Sequence, residues 1–143
     1  MSLQGNGDLK IAIVVNPVLP VGLVSNTVAT IGIGLGAGQP GFGNVELSDR
    51  PGLTYLASAD RPVPVLQAAS DELHALMTKA HISKPEHGNL VLFPAFARMM
   101  HCFDDYRNAV PMRDLSEEQI DGIGLFGPSK WVKSLTGSLK LLS

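Results

Sequence analysis

The apolar positions of the chain fall into two rhythms, and each rhythm predicts a different element. Lys10-Ile11-Ala12-Ile13-Val14-Val15-Asn16 is a near-continuous β-branched run, the pattern of a central strand buried on both faces, and Pro17 ends it. From Gly22 onward Val24, Val28, Ile31 and Leu35 recur at spacings of four, three and four, which predicts a helix packed on the sheet. Glycines at 32, 34, 36 and 38 weaken its propensity; Gly32 then serves close packing, and Gly36 or Gly38 ends the helix. Between Gly38 and Pro62 the pattern shifts to turns, with Asn44–Leu47 and Leu53–Ala57 flanking Arg50-Pro51-Gly52, as in a hairpin or an excursion at the sheet edge. Its length makes it a candidate lid or dimer contact.

Pro62–Ala68 reads as a strand demoted by its prolines towards an edge or a strand start. Ser70 then caps a helix whose buried stripe is Leu73, Leu76, Met77 and Ala80, with His74 and His81 on a solvated flank. Asn89–Pro94 is a further strand, and Ala95–Ala109 a broken or short helix in which Met99, Phe103 and Tyr106 or Val110 point inward. Ser116-Glu117-Glu118-Gln119 has capping-box spacing for one turn. The run Ile120–Phe126, interrupted only by Asp121 and two glycines, predicts a core strand stopped by Gly127-Pro128. Trp131, Val132 and Leu135 then lie on one face of a last helix that starts at Ser129 and ends at a left-handed Gly137. The alternation predicts an α/β domain on a mostly parallel or mixed sheet of about four strands.

Composition narrows the picture. With 143 residues, 45% of them hydrophobic and 17% charged, the chain is one compact domain over residues 9–143, and residues 1–8 are a leader or an expression scar. The net charge is −2 and the basic residues are scattered, so a nucleic-acid partner is not expected. The single Cys102 excludes an internal disulfide and fits a cytoplasmic setting. Val14–Ala37 is long and weakly polar, but its prolines, glycines and asparagines argue against a membrane span.

The chemistry is sparse. Gly36-Ala37-Gly38-Gln39-Pro40-Gly41 spells G-x-G-x-x-G, yet it follows a helix instead of opening one, so no nucleotide cofactor is implied. No spacing suits a metal site. His101 and Cys102 are adjacent and cannot serve each other as base and nucleophile; Cys102 reads as a small buried hydrophobe. Ligands of layered α/β sheets gather outside the carboxyl ends of the strands, which brings Asn16-Pro17, Phe93-Pro94 and Gly127-Pro128 together if those strands run parallel. The candidate polar lining of such a cleft is Asn16, Asn26, Ser129 and Lys130, with charge from Arg98 or His101.

Two ends of the chain carry a resemblance. Lys10–Val15 leading into a glycine-started helix, and Gly127-Pro128 followed by Val132-Lys133-Ser134-Leu135-Thr136-Gly137-Ser138-Leu139-Lys140-Leu141-Leu142, resemble the type 2 peptidyl-tRNA hydrolases. The whole chain further resembles the uncharacterised bacterial domain-of-unknown-function family 2000, through Val18-Leu19-Pro20-Val21-Gly22-Leu23, Gly34-Leu35-Gly36 and Tyr106. The resemblance implies a three-layer α/β/α sandwich on a mixed four-stranded sheet, commonly a homodimer. It does not carry the catalytic groups. Where those hydrolases have a Gly-Lys step this chain has Gly22-Leu23, and where they have aspartate and threonine it has Pro94-Ala95-Phe96-Ala97. The expected function is a small-ligand binding or regulatory module. The alternative is a divergent hydrolase acting on an ester such as peptidyl-tRNA, with Asn26, Arg98 or His101 replacing the lost groups.

Overall fold

In the computed structural model, which describes residues 8–143, strand β1 (Leu9–Val15) lies at the centre of a five-stranded sheet. Helix α1 (Val21–Gly38) follows, then a two-stranded hairpin of β2 (Glu46–Ser48) and β3 (Thr54–Leu56) outside the main sheet. β4 (Val65–Gln67), α2 (Ser70–Ser83) and β5 (Asn89–Pro94) come next. A 3-10 turn over Ala95–Met99 and helix α3 (Phe103–Ala109) lead to the long β6 (Ile120–Pro128), α4 (Ser129–Thr136) and β7 (Lys140–Leu141). The sheet order is β5-β6-β1-β4-β7.

Alternation along β1 builds the layers. Ala12 and Val14 face Leu73, Leu76 and Met77 of α2 and Trp131 and Val132 of α4, while Ile11 and Ile13 face Ile31 and Leu35 of α1. The sheet is thus buried on both sides, which the near-continuous apolar run of β1 requires. Helix α1 sits close on β6 because Gly122 and Gly124 face it. A Cβ at Gly122 would lie 2.7 Å from Thr27 Cγ2 and 2.8 Å from Ile31 Cδ1. By length and composition α1 is apolar enough to cross a membrane, yet Val24, Thr27, Ile31 and Leu35 are buried against this sheet.

Strand direction departs from the expectation that matters most for the site. β1, β4 and β5 run one way, but β6 is antiparallel to both β1 and β5. Leu9 pairs with Pro128 and Val15 with Gly122. Gly127-Pro128 therefore lies at the opposite end of the sheet from Asn16 and Pro94, about 20 Å away by the rise of a seven-residue strand. The fifth strand is β7, whose Leu141 pairs with Leu66 in an antiparallel bridge, so β4 is interior and its prolines precede the paired residues.

Several local expectations are also corrected. Met99 and Phe103 are exposed, because the chain extends at Met100 and Cys102 and the helical phase does not carry through. Cys102 is an exposed free thiol and no core residue. His74 Nε2 meets the Glu118 carbonyl, so it is tethered and not merely solvated. Ala69, not Ser70, is the cap residue of α2, with Glu72 accepting its amide at 2.9 Å. The turn before β6 is capped by Asp114, which accepts from the Ser116 amide at 3.0 Å. Gly137 has right-handed angles of φ −62° and ψ −24°. The proposed leader falls on residues 1–7, outside the described residues, except for Asp8, whose carbonyl accepts the Ser129 amide at 2.8 Å.

Candidate functional site

Asp121 is a carboxylate at full burial near the start of the central strand β6. An ionised carboxyl there needs charge-assisted partners, and two side chains supply them. Arg98 Nη1 donates to Oδ2, and Gln119 Nε2 donates to Oδ1 at 2.9 Å. Arg98 Nη2 donates to Thr27 Oγ1, whose own hydrogen goes to the Leu23 carbonyl at 2.7 Å. Thr27 is buried within α1, so one guanidinium ties α1, the 3-10 turn and β6 together.

The turn that presents Arg98 is itself pinned. The Ala95 amide donates to the Gln119 carbonyl at 2.8 Å, and the buried Phe96 ring lies 5.7 Å from Tyr106 and 4.1 Å from the Arg113 guanidinium. Arg113 also pairs with Glu118 at 3.0 Å. The Arg98 guanidinium stacks 4.7 Å from the Phe93 ring centroid, and its Nε is buried with no hydrogen-bond partner among the described residues. Only one edge of this cation is thus engaged by the carboxylate.

Above it opens a groove of about 830 Å³ between α1, β5 and the segment from Ala97 to Tyr106. Leu23, Ile33, Val91, Phe93, Met100 and Phe103 give it apolar walls. Asn26, Thr30, Arg98, His101, Cys102 and Tyr106 are the residues of its lining that carry polar side-chain atoms. Burial raises the Tyr106 hydroxyl above its ordinary range, as expected for a phenol between apolar side chains. The volume is that of a small-molecule site, with few polar groups among many apolar ones. Among the described residues no three His, Cys, Asp or Glu side chains gather where they could hold a metal ion.

Of the six residues expected to line a cleft, Asn26, Arg98 and His101 meet on this groove. Asn16 sits at the right end of the sheet, its amide donating to the Asp121 carbonyl at 3.0 Å. Its side chain, however, accepts the Val18 amide at 3.0 Å and shapes the turn after β1. Ser129 and Lys130 belong to the far end, because antiparallel β6 carries them there; Ser129 borders a separate hollow with Lys10 and Arg61. The expectation overlooked Asp121, whose signal was a lone charge inside an otherwise apolar strand. Thr27 stands out in the sequence with Ser25 and Asn26 as a polar side chain near the start of an apolar helix, and the structure places it on the buried face beside Val24 and Ile31, away from the expected lining.

Comparison with known proteins gives a family and a fold. Residues 9–143 match the family described as "Protein of unknown function (DUF2000)". None of the curated proteins matches the chain. Among solved structures, a protein of unknown function from Agrobacterium tumefaciens strain C58 superposes with a TM-score of 0.86 at 18% identity, covering 95% of this chain and 98% of its own. At that identity the likeness establishes shared architecture alone.

Proposed function

The chain belongs to the DUF2000 family, and from that premise we propose that its groove between α1, β5 and the 97–106 segment binds a small, mostly apolar molecule. The observation that carries this reading is the Arg98 guanidinium, fixed at the groove by a fully buried carboxylate. A hydrophobic core gains little from such a pair, since well-packed apolar residues of similar volume serve stability as well or better. A guanidinium held in one orientation at an apolar groove instead offers directional N–H donors to a ligand acceptor. The ligand that fits is a flat or branched apolar body with one carbonyl or carboxylate oxygen directed at Arg98, within reach of Asn26 and His101 on the wall. The protein then acts as a binding or regulatory module on a peptidyl-tRNA hydrolase-like scaffold. That scaffold reading rests on the Gly127-Pro128 turn and the Thr136–Leu142 tail.

The test is ligand-observed NMR with a panel of aromatic and branched-chain carboxylic acids and their neutral amides. Binding that Asn26→Ala weakens, and that in protein-observed spectra of the labelled chain shifts Tyr106 resonances, supports the reading. Silence across the panel, or binding untouched by substitutions on the groove, overturns it. A second reading, a divergent hydrolase of esters such as peptidyl-tRNA, is favoured by the convergence of Asn26, Arg98 and His101 on one groove. Leu23 stands on the wall where the resembled hydrolases have lysine, which weighs against it. Release of peptide from a peptidyl-tRNA, abolished by His101→Ala, would favour catalysis over binding alone.

A further inference from the structure

Between Lys10 and Glu46 the chain contains no Asp, Glu, Lys, Arg or His. Much of that stretch is the outer face of α1, which the domain leaves uncovered: Val21 is 81% and Ile33 73% exposed. The face continues onto the hairpin at Leu56, which is exposed as well and lines a hollow against the helix. A hollow of about 580 Å³ between helix and hairpin is lined by Ala29, Gly32, Ile33, Gly36 and Leu56. An exposed apolar surface of this extent marks a contact with something outside the fold.

We propose that this face is the contact between two copies of the chain, α1 against α1 of the second copy, around a two-fold axis beside Ala29. Charge selects the occupant. A partner bringing ionised side chains would strip them of water against a helix that offers no counter-charge, whereas α1 of a second copy brings none. A lipid surface is disfavoured, because interfacial helices carry Lys or Arg along their polar flank and α1 has neither. Shape agrees with a two-fold contact, in which the same patch must be its own complement. Val21 projects eight residues before Ala29, about 12 Å along the axis, and an antiparallel partner places it over the Gly36–Ala37 end of the second helix. That is where the hollow opens, so a protruding side chain meets a recess.

The glycines of that recess fit the same contact. Among the described residues a Cβ at Gly32 or Gly36 would meet nothing within 4 Å, in contrast to Gly34, where it would press on Val91. Nothing internal requires these two helix-interior glycines, although glycine is among the poorest helix formers. The inference is independent of the ligand reading, and the two meet only at Leu23 and Ile33, which wall the groove beside the interface.

Sedimentation velocity on the full chain across a wide concentration range tests it. The wild type is expected to sediment as a dimer, and Ala29→Glu, which sets like charges face to face at the axis, to weaken association by about tenfold or more. Circular dichroism checks that the variant stays folded, and Gly32→Leu gives a second, uncharged disruption. Ala29→Cys in a Cys102→Ser background should cross-link to a disulfide dimer on mild oxidation, since only an axis beside residue 29 brings the two thiols together. A monomer at every concentration overturns the proposal. So does a dimer indifferent to Ala29→Glu and Gly32→Leu, or flotation of the wild type with phosphatidylcholine vesicles in place of self-association.

Discussion

Replacing Arg98 by methionine keeps most of the side-chain volume and removes the cation from Asp121. What remains is a carboxylate 1% exposed with one side-chain donor, Gln119 Nε2. Breaking a buried pair from one side costs about 3–5 kcal/mol, because the surviving charge is left without compensation. The reverse change, Asp121→Asn, is predicted to cost less, about 1–3 kcal/mol. The Arg98 side chain retains 18% exposure and can turn its head towards the open groove and water, an option closed to Asp121. The ordering of the two costs follows from exposure alone. Urea unfolding followed by circular dichroism, with linear extrapolation to water, measures both. The double substitution Arg98→Met/Asp121→Asn should then cost clearly less than the sum of the singles, with a coupling of about 0.5–3 kcal/mol. Additive costs, or an Asp121→Asn variant less stable than Arg98→Met, would refute the claim that a buried carboxylate holds the guanidinium in place.

Three further outcomes are expected. Tyr106 should ionise above its ordinary value of 10.0, read by ultraviolet difference absorbance, because burial disfavours the phenolate. Its contribution to stability is complete below the unfolded value and lost as pH rises through the folded one; a groove ligand that buries the ring further should move the midpoint upward. Gly124→Ala should lower stability by about 1–3 kcal/mol in the same urea assay, since its Cβ would press on Ile31 and Leu35 of α1; an unchanged midpoint would mean that α1 does not sit this close to β6. Ser83→Ala removes the acceptor 2.9 Å from Trp131 Nε1 and should cost about 1 kcal/mol, with a change in tryptophan fluorescence that is absent if the indole N–H finds its partner elsewhere.

The sequence pattern revealed apolar surfaces and concealed directions. β1, α1, β5 and α4 were legible because their runs and spacings are dictated by burial, which leaves a mark at every second or every third and fourth residue. Whether β6 runs with β1 or against it leaves no such mark, since a strand buried on both faces is apolar in either orientation. That one unreadable sign moved Ser129 and Lys130 to the wrong end of the sheet and left Asn26, Arg98 and His101 at the right one. Met99 and Phe103 were misplaced for a related reason: helical spacing was extended across Met100–Cys102, where the backbone is extended. Asp121 was visible as a charge in a core strand, but its partner lies 23 positions away on a turn, beyond the reach of local periodicity.

The two-residue strand β7 has a consequence for the free protein. β4 is only three residues long and would otherwise offer its outer backbone groups as a template for another extended chain. Lys140 and Leu141 occupy that row, and the Leu142 amide closes it on the Val65 carbonyl at 2.9 Å. The bridge that replaces the open edge is too short to recruit a further strand, and it carries a lysine at the rim. The tail thus works as a hem on this side of the sheet, and leaves β5 as the edge whose outer backbone groups face no further strand among the described residues.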